Sequence, residues 1–144
     1  MNKENVYGSF GVLPKEEMLE VAEDFQNLLI GIPKEISFQE NRVAITPDAV
    51  SLLVNNGHNV IVEKDAGAKS NFSDEEYIQA GADISLSNEE VYNADIIVKI
   101  EPPTKDELLL LKKGKKLISA IQLKTRDKKY FNHLLKKEVT AIAI

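Results

Sequence analysis

The stretch IGIPKEISFQENRVAITPDAV, residues 30–50, decides the fold of this chain. An apolar run ends at Pro33, and a polar loop that carries Arg42 follows. Thr46 then has the position of an N-cap, and Pro47 stands at the first helical position, where its missing N–H needs no partner. The stretch therefore predicts a strand that delivers charge to a loop before a helix. In open α/β sheets, ligands bind outside the carboxyl ends of such strands.

The same alternation of apolar runs and helix starts continues along the chain. Ser73 with Glu76, Ser87 with Glu90, and Thr104 with Glu107 have the spacing of capping boxes, and Thr125 is a further N-cap candidate. The predicted strands are 28–32, 59–62, 83–86, 95–100, 116–121 and 139–144. The fold class is therefore α/β, with a mainly parallel sheet and helices on both faces in a flavodoxin- or Rossmann-like three-layer arrangement.

The chain divides into an arm and a domain. Pro14 opens a stretch with helical spacing, so residues 1–27 are predicted as an N-terminal helical arm and residues 28–144 as the α/β domain. The last predicted strand, 139–144, has the composition of a buried strand and has no helix after it. We therefore expect the sequence to be a piece of a longer protein.

Composition narrows the classes of function. The net charge of −5 argues against a nucleic-acid partner, and the absence of cysteine excludes disulfides and thiolate chemistry. Two histidines are too few for a zinc cluster, and no G-x-G-x-x-G is present, so no metal or cofactor site is predicted within these residues. Without a signal peptide or an apolar run of about 20 residues, a cytoplasmic location and no membrane contact are expected.

Four polar residues follow predicted strands and should lie at one edge of the sheet. Glu35 and Arg42 follow the first strand, Lys99 lies at the end of the run 95–100, and Gln122 follows the run 116–121. Arginine binds a carboxylate through two parallel hydrogen bonds, and lysine adds a compact charge. Arg42 and Lys99 together therefore suit a small organic acid.

A structural role is the alternative for both cations. Lysine is almost never fully buried unless it is paired, so Lys99 either reaches the sheet edge or pairs with Glu101 or another acid. Arg42 has Glu40 and Glu35 within reach as ion-pair partners. The residues alone leave both alternatives open.

Several motifs in order give the chain a resemblance to a known family. These are GIPKE at 31–35, ENRVAITPDAV at 40–50, GHNVIVEKDAG at 57–67, SNFSDEEYIQAGADI at 70–84 and IIVKIEPP at 96–103. Over about 29–144, the chain resembles the N-terminal, substrate-side domain of the alanine dehydrogenases, whose fold is shared with the NAD(P) transhydrogenase alpha subunit. The first 28 residues lie outside this pattern.

The resemblance implies roles for single residues. The arginine of the NRVAxTP motif binds the substrate carboxylate, a role that falls to Arg42, and the lysine of the VVKVKEP-like strand contacts the keto acid, which here is Lys99. Glu35 is predicted as a third substrate-binding residue, and Lys99 is predicted to be catalytic as well. Gln122 stands where the family has a catalytic histidine. Glutamine cannot transfer a proton at neutral pH, so acid–base chemistry is where the chain departs from the family.

The resemblance also implies a reaction for the parent protein and a second domain that takes part in it. The parent protein would oxidise L-alanine to pyruvate and ammonia with hydride transfer to NAD, which a second, Rossmann domain binds. The chain alone would then be inactive, and its parent a homo-oligomer. The alternatives are a transhydrogenase alpha subunit, a saccharopine dehydrogenase-like enzyme and a non-catalytic binding module. The sequence does not distinguish the amino acid, or NAD from NADP.

Overall fold

The fold is that of a computed structural model, which describes residues 27–122 and 127–144. Strands and helices alternate along these two ranges. The strands are β1 (Leu29–Ile32), β2 (Asn59–Glu63), β3 (Asp83–Ser85), β4 (Ile96–Val98), β5 (Lys116–Ser119) and β6 (Thr140–Ala143). The α-helices are α1 (Pro47–Asn55), α2 (Asp74–Gln79), α3 (Asn88–Val91), α4 (Lys105–Leu110) and α5 (Lys128–Lys136), and Ala68–Ser70 is a 3-10 turn. The predicted arm before residue 27 lies outside the described residues.

All six strands pair in parallel, in the order β3-β2-β1-β4-β5-β6. The chain first builds outward from β1 through β2 to β3, and then returns to the other side of β1 with β4. The carboxyl ends of β1 and β4 therefore border a topological switch point, which is where open α/β sheets bind ligands. The predicted parallel sheet is confirmed.

Two apolar cores lie on opposite faces of this sheet. On one face, Ile30 and Ile32 of β1 pack with the α1–α2 layer, which includes Val50 and Tyr77. On the other face, the strands pack against α3, α4 and α5 through Ile97, Leu117, Val91, Leu108 and Leu134. Alternate residues of a strand point to opposite faces, so each buried strand serves both cores. The prediction of helices on both faces is confirmed.

Gly31 lets α3 approach the sheet closely. A Cβ atom built on Gly31 would lie 2.4 Å from the carbonyl oxygen of Val91 and 2.9 Å from the Cβ of Ala94. Both contacts come from the end of α3 and the turn after it. The absence of a side chain at Gly31 therefore allows α3 to pack closely on β1, next to the switch point.

The helix starts differ in part from their prediction. The capping boxes of Ser73 with Glu76 and of Thr104 with Glu107 are both complete. Ser87 receives the N–H of Glu90, but its own N–H is bound by Ser85 Oγ, so the box at α3 is only half formed. Asp127, rather than the predicted Thr125, caps α5 by accepting the N–H of Tyr130, and Thr125 itself lies outside the described residues.

The last strand was predicted to be buried, and this is wrong. All four residues of β6 are exposed. The reason is the sheet order, because β6 is an edge strand whose one neighbour in the described sheet is β5. In the described ranges, no helix combines the length and apolar character that crossing a bilayer requires.

Candidate functional site

Lys99 lies directly after β4 and is buried, with 1% of its surface exposed. Its Nζ lies 2.9 Å from Glu107 Oε1 and 3.5 Å from Glu35 Oε2. A buried ammonium needs such partners because its desolvation is otherwise uncompensated. The predicted pairing of Lys99 with an acid is thus observed, but its partners are Glu107 and Glu35 rather than Glu101.

Glu107 uses its two oxygens for different tasks. Oε2 accepts the N–H of Thr104 at 2.7 Å and so closes the capping box of α4. Oε1 accepts from Lys99 Nζ at 2.9 Å and from the hydroxyl of Tyr92 at 3.0 Å. Burial raises the pKa of Glu107, but the Thr104 N–H, the Lys99 charge and the Tyr92 hydroxyl together hold it below its ordinary value. The carboxylate therefore stays ionised against the ammonium.

Glu35 bridges the ends of the two strands that border the switch point. It follows β1, and its Oε1 accepts the N–H of Ile100 at 2.6 Å while its Oε2 accepts the N–H of Glu101 at 3.3 Å. Burial raises the pKa of Glu35, and the Lys99 charge and these two N–H groups only partly offset it. Glu35 therefore lies across the crevice and is the less strongly ionised partner of Lys99.

Arg42 is held by Glu40 two residues earlier. Glu40 Oε1 accepts the Nε–H at 2.9 Å, and Oε2 accepts from Nη2 at 2.6 Å. The side chain of Arg42 is 73% exposed, whereas that of Glu40 is 8% exposed. The hydrogen bonds and charge of Arg42 lower the pKa of Glu40 to about 2. Of the five guanidinium N–H groups, three have no acceptor among the described residues.

The loop that carries Arg42 is fastened to the following strand–helix unit. Lys69 Nζ donates to the carbonyls of Ser37 at 2.9 Å and Glu40 at 3.2 Å. Ser70 Oγ donates to the carbonyl of Asn41 at 2.7 Å, and the hydroxyl of the buried Tyr77 donates to the carbonyl of Ile45 at 2.8 Å. These bonds fix the loop backbone on both sides of Arg42.

Lys99 and Arg42 stand in different relations to Glu35. Glu35 lies 3.5 Å from Lys99 Nζ, and its charge contributes, after Glu40 and Glu101, to a raised pKa of Arg42. Lys99 therefore has Glu35 as an ion-pair partner, whereas the ion-pair partner of the exposed Arg42 is Glu40. Gln122 follows β5 and is exposed.

Sequence reasoning missed the roles of Glu40, Tyr92 and Glu107 at this edge. The sequence indicates Glu40 only as a partner that would make Arg42 structural, and Glu107 only as a capping residue. One signal was available, because a lysine inside an apolar run requires a buried acid and Glu107 is an acid at a helix start eight residues later. The hydroxyl of Tyr92 reaches Glu107 through tertiary packing, for which the sequence carries no local signal.

Other places in the described structure do not join this site. A cavity of about 300 Å³ lies between α4 and α5, lined by Leu108, Tyr130 and His133 among others, and it contains none of the predicted site residues. Within residues 27–122 and 127–144, no group of three histidine or acidic side chains is arranged to hold a metal ion.

Comparison with known proteins agrees with this architecture. The sequence profile of the family described as "Alanine dehydrogenase/PNT, N-terminal domain" matches residues 31–144. An alanine dehydrogenase of Staphylococcus saprophyticus is 42% identical over 116 residues, which are 81% of this chain and 31% of that protein.

Solved structures give the same result. A structure titled L-alanine dehydrogenase matches with a TM-score of 0.77 and 35% identity, over 81% of this chain and 32% of that one. A transhydrogenase from Sinorhizobium meliloti matches with a TM-score of 0.74 and 28% identity, over 80% of this chain and 33% of that one. The chain thus spans about a third of the length of these relatives. Because the profile of the alanine dehydrogenase/PNT N-terminal domain family matches residues 31–144, the chain belongs to that family.

Proposed function

We propose that this chain is the substrate-binding domain of an NAD-dependent alanine dehydrogenase, which converts L-alanine to pyruvate and ammonia. The observation that carries the proposal is that a buried lysine, paired with Glu35 at 3.5 Å, and an exposed arginine, anchored by Glu40, follow β4 and β1, the two strands that border the switch point. The names of the relatives supply the reaction. We propose residues 28–144 as the extent of this domain.

The substrate carboxylate binds the outer side of Arg42. Glu40 occupies the Nε–H and one N–H of Nη2, which leaves donors on Nη1 and Nη2 for a second carboxylate. The keto oxygen accepts a hydrogen bond from Lys99 Nζ and displaces Glu35. Glu35 is the partner displaced because its contact with Lys99, at 3.5 Å, is longer than that of Glu107, at 2.9 Å. Glu35 is thus the partner that yields when the substrate enters.

The remaining chemistry comes from groups outside these contacts. Hydride transfer requires a nicotinamide held against the substrate carbon, and the residues of this chain lack a dinucleotide fingerprint. Gln122 donates and accepts hydrogen bonds but does not exchange a proton at neutral pH. We therefore propose that the chain alone binds substrate without turning it over, in the cytoplasm and within a homo-oligomer.

A transhydrogenase alpha subunit is the second candidate. Gln122 favours it, since the corresponding loop of that family also lacks the dehydrogenase histidine. The DNA sequence after the codon of Ile144 distinguishes the candidates. A Rossmann fingerprint followed by polar sequence supports the dehydrogenase, and membrane spans or an adjacent partner subunit support the transhydrogenase. A stop codon at that point supports a non-catalytic module.

Calorimetric titration of the 144-residue chain with pyruvate tests the proposed site. Arg42→Ala should weaken binding by about 10- to 100-fold, which is the size of lost hydrogen bonds to a charged group. Lys113→Ala is the matched control, because Lys113 is an exposed cation paired with Glu138 away from the site. Equal affinities of wild type and Arg42→Ala would contradict the proposal.

An activity assay tests the second part of the proposal. The chain incubated with L-alanine and NAD should form no NADH, because its sequence has no dinucleotide fingerprint. Reduction of NAD at a rate proportional to the concentration of this chain would contradict this part while leaving the binding site intact.

A further inference from the structure

The part of the chain that leads to Arg42 is not held by apolar packing. We call residues 36–42, between β1 and α1, the arginine loop. Its two apolar side chains lie in solvent, since Ile36 is 61% exposed and Phe38 is 95% exposed. Burial of apolar surface therefore does not fix the backbone of this loop, and polar contacts with neighbouring elements must do so.

The turn that contacts the arginine loop is, by contrast, firmly packed. It is the 3-10 turn Ala68–Ser70, which lies between β2 and α2. A Cβ atom built on Gly67 would lie 2.7 Å from Cε2 of the buried Tyr77 and 2.9 Å from the Cβ of Phe72, so the backbone lies directly on these side chains. The N–H groups of Ser70 and Phe72 both donate to the Gly67 carbonyl, at 2.9 and 3.1 Å. The turn is therefore the rigid partner in this contact.

Lys69 holds the residue that anchors Arg42. Its Nζ donates to the carbonyl of Ser37 at 2.9 Å and to that of Glu40 at 3.2 Å. Glu40 in turn binds the Arg42 side chain through both of its carboxylate oxygens. Within the described ranges, Lys69 has no acidic ion-pair partner, so its ammonium serves these two carbonyls. Lys69 thus fixes the backbone of Glu40, whose side chain fixes the guanidinium.

Ser70 adds an uncharged tether one residue farther along. Its Oγ donates to the carbonyl of Asn41 at 2.7 Å, and Asn41 directly precedes Arg42. Lys69 and Ser70, two consecutive residues of the turn, therefore hold two consecutive residues of the arginine loop. The hydrogen bonds from the turn end at the residue before the cation.

We infer that Lys69 is a positioning residue, which together with Ser70 holds the arginine loop so that Arg42 is ready for the carboxylate of the substrate. The inference rests on the proposed function, because it takes Arg42 as the group that binds this carboxylate. Ordering a loop and a long side chain during binding costs free energy, and a loop that is already ordered avoids this cost. Loss of the tethers should therefore weaken carboxylate binding although no contact with the ligand is removed.

Calorimetric titration of the 144-residue chain with pyruvate measures this effect. Lys69→Met removes both hydrogen bonds of the ammonium and should weaken pyruvate binding about fivefold, the scale of the ordering cost for a few groups. Lys69→Arg retains the charge and the donors, so it should restore the affinity to within about twofold of wild type. Lys64→Met is the matched control, because Lys64 is an exposed lysine of the same connection whose side chain bonds to none of the described residues. It should leave the affinity unchanged.

Backbone dynamics separate positioning from attraction by charge. Ser70→Ala removes the uncharged tether and should weaken pyruvate binding about two- to threefold. In Lys69→Met and in Ser70→Ala, the 15N heteronuclear NOE values of residues 38–42 should fall, because the loop gains fast motion. In Lys64→Met these values should equal those of wild type.

For Lys69→Met, weakened binding with unchanged NOE values would overturn the inference, as would lower NOE values with unchanged binding. If Lys69→Met does not fold, as judged by its amide NMR spectrum, Ser70→Ala is judged by the same two outcomes.

Arg42→Ala separates this inference from the proposed function. Adding Lys69→Met to Arg42→Ala should cause no further loss of pyruvate affinity, because the positioned group is already absent. If wild type does not bind pyruvate, or Arg42→Ala binds it as well as wild type, the proposed function fails and the inference with it. If Arg42→Ala weakens pyruvate binding but Lys69→Met and Ser70→Ala do not, only the inference fails.

Discussion

Glu40 and Arg42 form an ion pair whose two partners differ greatly in exposure. Glu40 has 8% of its side chain exposed and also accepts the backbone N–H of Arg42 at 2.8 Å, so it is the fixed partner. Arg42 projects outward with its inner N–H groups anchored. An arginine held in this way loses less side-chain freedom when it binds a carboxylate, which favours binding.

The titration of Glu40 tests this ion pair. Its pKa lies at about 2 rather than the ordinary 4.5, first because of the Arg42 side-chain hydrogen bond. A carboxylate with a lowered pKa stabilises the fold fully above 4.5, and this stabilisation is lost as the pH falls through about 2. A 13C NMR titration of the Glu40 carboxyl should therefore show a midpoint near 2 in wild type.

Arg42→Ala provides the control for that titration. Without the guanidinium, the midpoint of Glu40 should move up toward 4.5, because its largest stabilising contact is gone. A wild-type midpoint near 4.5, or one that does not respond to Arg42→Ala, would show that the two side chains are not paired in solution.

Single residues also show where sequence reasoning succeeds and where it ends. The positions of Arg42 and Lys99 after strand ends could be predicted because strand ends are visible in the sequence, and their roles in binding stay predictions. The partner of Lys99 was not found, since Glu107 reaches it only after α4 packs against the sheet. Ion-pair partners of this kind depend on tertiary geometry, and the sequence indicates that an acid is needed without saying which one.

At the scale of elements, local sequence signals predict where helices start better than they predict the capping hydrogen bonds of those helices. Thr46 is the N-cap of α1, as predicted, yet its side chain makes no capping hydrogen bond, and Pro47 at the next position fits the helix start. Ser87 forms half a capping box because Ser85 already binds its N–H. In both cases the motif locates the helix, and a neighbouring group decides which hydrogen bonds form.

Gly31→Ala tests the close packing of α3 on β1. The new Cβ would lie 2.4 Å from the carbonyl oxygen of Val91, which is backbone and cannot move without shifting α3. We expect the free energy of unfolding to fall by about 1–3 kcal/mol, as for other overpacked sites. Urea denaturation followed by circular dichroism measures this loss.

Ala94→Gly in the same background is the control for Gly31→Ala. It removes the Cβ that lies 2.9 Å away but leaves the Val91 carbonyl, so it should not restore stability. A Gly31→Ala variant as stable as wild type would show that α3 does not sit this close to β1.

At the scale of the whole molecule, the sequence predicts the parallel sheet but not its order. The alternation of apolar runs and helix starts indicates βαβ units. The right-handed crossovers of such units put the carboxyl ends of all the strands on one edge of the sheet. The position of β4 beside β1 is a long-range choice that no local pattern specifies. That choice places Lys99 beside Glu35 and makes the crevice of the site. Likewise, the apolar composition of β6 predicts a buried strand, because composition does not show that the strand lies at the edge of the sheet.

The central claim is that Arg42 and Lys99 together bind a small keto acid at the switch point. A crystal structure of the 144-residue chain with pyruvate tests it most directly. The account predicts the pyruvate carboxylate at hydrogen-bond distance from the guanidinium of Arg42 and its keto oxygen at that distance from Lys99 Nζ, with Glu35 displaced. Pyruvate bound elsewhere, or bound with Lys99 still enclosed by Glu35 and Glu107, would contradict it.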